Sequence, residues 1–252
     1  MAETSATSVR PPRVRVRRLD LASGRRWPEL VMFDLDGTLI DSVPDLAAAT
    51  NRLLATEGHD PLAVSEVRSM IGNGVGKLVE RAFARRAVRL EGQGLSAMTD
   101  RMMSIYGDRL TVDTTLMDGA GQALEENRLK GIRNAVVTNK PERFARSILD
   151  HFGLADMIDV VVGGDSGPPR KPAPDMLLHV LRVSEVDASH ALMVGDGPAD
   201  IDAARAAGVQ SIALRGGYTT VAADALGADL VIDGLGDLAT AMETLAPAIR
   251  QA

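Results

Sequence analysis

The sequence predicts an α/β protein built on a doubly wound parallel sheet, with an all-helical block inserted near the start of the fold. Three observations carry this expectation. From residue 117 onward, short apolar runs alternate with helical segments, the pattern of parallel strands joined by crossover helices. An earlier apolar run, Leu30 to Phe33, stops abruptly at Asp34-Leu35-Asp36-Gly37-Thr38, as a buried strand does when it delivers polar groups to its C-terminal end. Between the two, residues 45–115 keep helical spacing and contain no clear strand.

Composition narrows the function classes. At 45% hydrophobic and 25% charged residues, the 252-residue chain has the balance of an ordinary globular protein. It contains no cysteine, which excludes disulfides, thiolate zinc sites and cysteine nucleophiles and suits a cytoplasmic location. No apolar stretch approaches the roughly 18 residues that a membrane span requires. Residues 1–28 carry seven arginines against Glu3 and Asp20, a net +5, which leaves −11 for the remainder of a chain whose total is −6. An acidic body, in a chain with seven aromatic residues in all, offers neither the basic groove nor the stacking surface of a nucleic-acid binder.

In chain order, residues 1–28 lack apolar periodicity, contain Pro11-Pro12 and are expected to form a disordered basic extension. Their Arg-rich, acid-poor character also fits a targeting segment or a polyanion-binding arm. After the first strand, Pro44 to about Glu57 is rich in Ala and Leu, with proline where a helix begins and Gly58 where it ends. Helical spacing returns over 64–70, 77–88 and 96–110. Strands are expected at 134–137, 159–162, 191–194, 211–214 and 229–232, each bounded by turn residues or a helical segment. The expected organisation is therefore an α/β core over 29–44 and 116–252, with a helical cap over 45–115.

The chemistry gathers where those strands end. Asp34 and Asp36, two positions apart, can share one site, and two acids so close must be separated in role by a cation or a proton. Thr138-Asn139 offers a hydroxyl and an amide before a helix opened by Pro141, whose free N–H groups favour an anion; Thr138 as a simple helix cap is the competing reading. Lys171 lies in a proline-framed loop that fixes a point charge. Asp196 ends an apolar strand and Asp200 opens a helix, two hard oxygen ligands suited to Mg²⁺, although Asp200 as a helix cap is an alternative. Gly164-Asp165-Ser166-Gly167 looks like a serine-protease nucleophile segment, but the α/β alternation and the lack of a recognisable histidine partner exclude that. Gly72 to Lys77 is not a nucleotide-binding loop, because Leu78 follows the lysine and Ile71 stands where the first glycine is required. It is a turn, or a loop whose N–H groups close over a small anion.

Asp34-x-Asp36-Gly-Thr38, Thr138-Asn139, Lys171-Pro172 and Gly195-Asp196-x3-Asp200, in this order, resemble the four motifs of the haloacid dehalogenase-like superfamily of phosphotransferases. The resemblance spans about residues 29–245 and implies a Rossmann-like sheet with an inserted all-helical cap domain. The segments around Gly72–Lys77, Thr138–Pro141 and Gly163–Asp175 are most similar to members acting on 2-phosphoglycolate. What this implies is a phosphomonoester hydrolase in which Asp34 attacks phosphorus, Asp36 serves as acid and base, Lys171 neutralises charge, and Thr138 and Asn139 hold phosphoryl oxygens. Asp34, Asp196, Asp200 and the Asp36 main-chain carbonyl would hold Mg²⁺.

Asp36 sets this reading apart from dehalogenases and phosphonate hydrolases, which lack that acid; a sugar-phosphate mutase would share all four motifs. Receiver-type phosphoacceptor domains are about half as long and have no helical insert. The fourth motif departs from the family pattern, with Gly197 and Ala199 where Ser and Asn are common. In the cap, Asn73 and Lys77 are the expected contacts to a small anionic phosphomonoester. The chain is expected to act as a monomer or homodimer, without nucleic-acid or membrane partners.

Overall fold

The computed structural model describes residues 27–246. Strand β1 (Leu30–Phe33) lies in the middle of a six-stranded sheet with β4 (Arg133–Val137), β5 (Val160–Val162), β6 (Ala191–Gly195), β7 (Gln210–Leu214) and β8 (Leu230–Ile232). The order is β5-β4-β1-β6-β7-β8 and every pairing is parallel. This is the doubly wound arrangement, in which the first connections run one way from β1 and the later ones run the other way from β6. The crevice outside the carboxyl ends of β1 and β6 is where such a sheet places its ligand.

β1 is wholly buried, and its side chains alternate between two cores. Val31 and Phe33 pack with Leu124 of α5 (Ala120–Leu129), Ile148 of α6 (Glu142–His151) and Met242 of α9 (Leu238–Leu245). Leu30 and Met32 pack with Met176 and Val180 of α7 (Asp175–Ser184) and Ala203 of α8 (Pro198–Ala207). A strand apolar on both faces reads as a continuous apolar run, which is why this element was evident from sequence.

Between β1 and α5 the chain forms α1 (Val43–Thr56), α2 (Val64–Arg68), α3 (Val75–Ala84) and α4 (Gly92–Gly107). Pro44 sits in the first turn of α1. The four helices share a separate apolar cluster containing Leu46, Leu54, Val67, Leu78, Phe83, Met102 and Tyr106, which Phe144 of α6 enters from the sheet side. Helix α3 begins two residues before the expected start and ends at Ala84 instead of Val88, and α4 starts four residues early and stops three early. A short antiparallel ribbon without a sequence signal, β2 (Ile40–Asp41) with β3 (Thr115–Leu116), binds the entry to the helical block to its exit. Two-residue strands are too short to show a period.

Of the expected 1–28 extension, residues 1–26 lie outside the described residues. Trp27 packs against the core and Pro28 is buried, so these two residues belong to the fold and not to a tail. No helix among the described residues is long and apolar enough to cross a membrane.

Asp45 ties the two connections together. Fully buried in the first turn of α1, it accepts hydrogen bonds from the main-chain N–H groups of Asp113 (2.9 Å) and Thr114 (2.8 Å) and from the Thr114 hydroxyl (2.8 Å). Arg109 pairs with its other oxygen at 3.0 Å. Asp45→Ala strands these donors and the guanidinium together. It should lower unfolding free energy in urea by about 3–5 kcal/mol, the usual cost of breaking a buried charged pair; a loss under about 1 kcal/mol would show that Asp45 is not the tie.

Candidate active site

Asp34 follows β1 directly, and its main-chain N–H continues the ladder to Val194 at 2.9 Å. Its carboxylate lies 2.9 Å from the Lys171 ammonium. Lys171, arriving from the loop after β5, also donates to Asp200 Oδ1 and to the Val137 carbonyl, each at 2.6 Å. Its three hydrogens are thereby used, and the buried side chain is held at the sheet edge. Asp196 follows β6; its Oδ2 accepts from the Tyr218 N–H at 2.6 Å and its Oδ1 from the Thr38 hydroxyl at 3.3 Å. Asp200 is the third residue of α8, and its Oδ2 accepts from the Gly197 N–H at 3.0 Å. Gly197, not Asp200, is the N-cap of α8; Asp200 returns one oxygen to the cap N–H from the third helical position while its other oxygen faces Lys171.

Asp34, Asp196 and Asp200 each offer an oxygen within 4.8 Å of the others, a set that could hold a metal ion. Burial pushes the Asp34 carboxyl up to about 6, against the pull of Lys171 and with a further push from Asp200. Burial, then the charges of Asp200 and Asp34, pushes Asp196 up to about 8. One ammonium is too little positive charge for three carboxylates. A hard divalent cation bound by oxygen ligands is what this donor set suits.

The backbone around the cluster leaves no room for side chains. A Cβ on Gly217 would lie 2.2 Å from the Asp196 Cβ. Gly37, at φ 88°, makes the turn after Asp36, and a Cβ there would meet Asp196 Oδ2 at 2.7 Å.

Asp36 has a different environment. Its carboxylate receives the Lys140 ammonium at 2.6 and 2.8 Å and the Ser42 hydroxyl at 2.5 Å. Lys140 is buried and also donates to the Tyr106 hydroxyl at 2.9 Å. Burial acts to lower the Lys140 pKa, but Asp36 and Tyr106 outweigh it and hold the ammonium charged. The Asp36 carboxylate is thus not part of the three-carboxylate cluster.

Sequence reasoning passed over Lys140, Tyr106, Ser42 and Tyr218. Lys140 directly follows Thr138-Asn139 and could have been noticed. Tyr106 has only the signature of a core residue on an amphipathic helix. Tyr218 has no local signal, because its role comes from a contact 22 residues away in sequence.

A cavity opens over Asp34 and Asp36. Thr138, Asn139 and Lys140 line it from the sheet edge, and Leu46, Ile71, Val75, Leu78 and Tyr106 from the helical block. Thr138 does not cap α6; its hydroxyl accepts from the Lys140 N–H at 3.2 Å, while Asp165 accepts from the Glu142 N–H at 2.8 Å and caps that helix. The Gly-Asp-Ser-Gly segment is therefore a helix cap. Asn139 spends both amide hydrogens on the Gly72 and Lys171 carbonyls, at 2.9 Å each, so its side chain ties the two sides of the cavity together and has none left for a phosphoryl oxygen.

The two cap contacts expected from sequence are not brought into the cavity. Lys77 is half exposed and pairs with Glu80 at 2.6 Å, one turn along α3. Asn73 accepts from Arg81 at 2.6 Å and is exposed. Starting α3 at Val75 turns Lys77 outward and puts Val75 and Leu78 over the cavity instead.

A family model described as haloacid dehalogenase-like hydrolase matches residues 31–214. A phosphoglycolate phosphatase of Pseudomonas fluorescens is 42% identical over 198 residues, 77% of this chain and 71% of that protein. One from Rhodospirillum rubrum is 41% identical over 215 residues, 84% of this chain and 89% of its own length. Among solved structures, a predicted phosphoglycolate phosphatase from Haemophilus somnus superposes with a TM-score of 0.81 at 30% identity, over 86% of this chain and 99% of that one.

The raised carboxyls have a consequence for stability. Asp34 and Asp196, at about 6 and about 8 against an ordinary 3.8, hold protons in the folded protein that the unfolded chain has already released. The stability tied to those protons is fully present below about pH 4 and is lost as pH rises through 6 and then 8. In EDTA the melting temperature should fall by roughly 5 °C between pH 5 and pH 9, and Mg²⁺ should restore most of it at the alkaline end. A flat or rising profile in EDTA would contradict the electrostatic account.

Proposed function

The chain belongs to the haloacid dehalogenase-like hydrolases and is a phosphatase, and we propose that it hydrolyses 2-phosphoglycolate to glycolate and phosphate, with Mg²⁺ and an aspartyl-phosphate intermediate. The observation that carries the reading is the pairing of Asp34 with Lys171 at 2.9 Å beside Asp196 and Asp200, with the separately held Asp36 two residues on.

A phosphomonoester dianion approaching three carboxylates is repelled unless positive charge compensates. Mg²⁺ held by Asp34, Asp196, Asp200 and the Asp36 main-chain carbonyl would add two positive charges to that of Lys171 and polarise the phosphoryl oxygens. Asp34 then attacks phosphorus in line, and the P–O bond to the leaving group breaks as the Asp34–phosphorus bond forms. Asp36, a carboxylate paired with Lys140 in the free protein, would take up a proton as the substrate binds and give it to the departing alkoxide. It then takes one from the water that attacks the aspartyl-phosphate, returning Asp34 as a carboxylate and releasing phosphate. Thr138 donates to a phosphoryl oxygen. Asn139 acts at one remove, by joining Gly72 to Lys171 across the cavity.

Residues 45–115 serve as the cap, and their apolar side chains over the cavity exclude bulk water from the intermediate. The substrate assignment draws on relatives named phosphoglycolate phosphatase at 40–42% identity.

Asp34→Asn should reduce turnover of 2-phosphoglycolate by more than about 10³-fold with the fold intact by circular dichroism; activity within tenfold of wild type would remove Asp34 as nucleophile. Asp36→Asn should lose roughly 10²- to 10⁴-fold on alkyl phosphates and much less on p-nitrophenyl phosphate, whose leaving group needs no proton. Equal losses on the two would argue against an acid.

A further inference from the structure

The cavity contains a polar group that the reaction above does not use. Tyr106 is fully buried on α4, and its hydroxyl oxygen accepts from the Lys140 ammonium at 2.9 Å. Among the described residues, no acceptor takes the hydrogen of that hydroxyl. Lys140 in turn is fully engaged, with its remaining hydrogens on the two oxygens of Asp36. The ammonium therefore cannot donate directly to a ligand without giving up a partner. The phenol can, and accepting from a cation makes it a stronger donor. Burial raises the Tyr106 pKa above its ordinary value, so the hydrogen stays in place at neutral pH.

We propose that the Tyr106 hydroxyl, with the Lys140 charge behind it, is the subsite for a carboxylate carried by the substrate. The proposal rests on the reading of the protein as a phosphomonoester hydrolase and adds how the non-reacting end of the substrate is recognised. Charge leaves such a group few places in this cavity. Asp34 and Asp36 repel a carboxylate, and Leu46, Ile71, Val75 and Leu78 offer it no hydrogen bond. Lys140 is the one cation among the lining residues. The basic residues of the helical block near the cavity are spent elsewhere, Lys77 on Glu80 and Arg81 on the Met70 carbonyl and Asn73. A short acid whose carboxylate is one methylene from the ester oxygen fits a subsite this close to Asp36.

The test compares ligands that differ only in the carboxylate. With Mg²⁺ present, 3-phosphonopropionate and propylphosphonate, neither of which can be hydrolysed at an ester, are titrated calorimetrically into the wild-type protein and into Tyr106→Phe. Wild type should bind the carboxylate compound tighter by about tenfold or more, and Tyr106→Phe should close that gap while keeping its affinity for propylphosphonate. Lys140→Met, which removes the charge and leaves the phenol, should narrow the gap as well. Equal affinities in the wild type, or a gap unchanged in both variants, overturns the subsite. In kinetics, the ratio of kcat/KM for 2-phosphoglycolate to that for ethyl phosphate should fall about tenfold in Tyr106→Phe, chiefly through KM; an equal fall on both substrates would make Tyr106 a support for Lys140 and Asp36 only. If the wild type turned over no phosphomonoester, the functional reading would fail, while the binding comparison would still decide the subsite.

Discussion

Lys171 is the one ammonium, among the described residues, that touches the three-carboxylate cluster, and the sheet edge is organised around keeping it there. Its hydrogens go to Asp34, to Asp200 and to the last carbonyl of β4. Asp34 hangs from β1, Asp200 from the first turn of α8 and the carbonyl from β4, so three elements converge on one charge. Without it, three buried carboxylates within 4.8 Å would repel one another across a poorly screened interior. With it, the cluster still carries a surplus of negative charge. That surplus suits the cluster to a hard cation.

Holding acids this close requires the main chain to come in where side chains would not fit. Gly217 lies under Asp196 and lets the next N–H, that of Tyr218, reach the carboxylate at 2.6 Å. Gly195 lies against Asp200 in the same way, since a Cβ there would meet the Asp200 carboxyl carbon at 2.4 Å. Where Gly197 and Ala199 depart from the family pattern, Asp200 is held by the Gly197 main-chain N–H and Asp196 by the Thr38 hydroxyl. A main-chain N–H is present at any non-proline residue, so the change of side chain at 197 leaves that bond available.

The elements legible in the sequence were those whose signal is local. An apolar run ending in acids marked β1 and β6, and Pro44 and Gly58 marked the limits of α1. Asp34 and Asp196 were legible because each stands at the end of a strand, and the parallel order of the sheet brings strand ends together; Lys171 was legible from its proline-framed loop and Asp200 from the helix start that follows β6. Lys77 and Asn73 illustrate the limit of such reading. A lysine beside glycines suggests an anion loop, but which way it points depends on where the helix begins, and a shift of two residues in an α-helix turns a side chain by more than half a circle. Tyr106 and Tyr218 were illegible for another reason: each acts through partners distant in sequence, and nothing near a tyrosine in the chain announces that.

Those two tyrosines join parts of the site that the motifs leave separate. From Asp196 the connection passes through the Tyr218 N–H, then through the Tyr218 hydroxyl to the Ser42 N–H at 2.6 Å, and from the Ser42 hydroxyl to Asp36. From Asp36 it continues through Lys140 to Tyr106 on α4. Arg68 of α2 lies over the Tyr218 ring, 5.2 Å from its centre, and pairs with Asp41 in the ribbon. The helical block therefore meets both the three-carboxylate cluster and Asp36 through a few short hydrogen bonds at the ribbon and its inner face. Any movement of the block that lengthens them changes the surroundings of Asp36 and Asp196 together. Because the bonds are short and mostly buried, each is costly to leave unmade. The arrangement described here, with every link formed, is then the one in which the cover over the cavity and the acids beneath it stabilise each other.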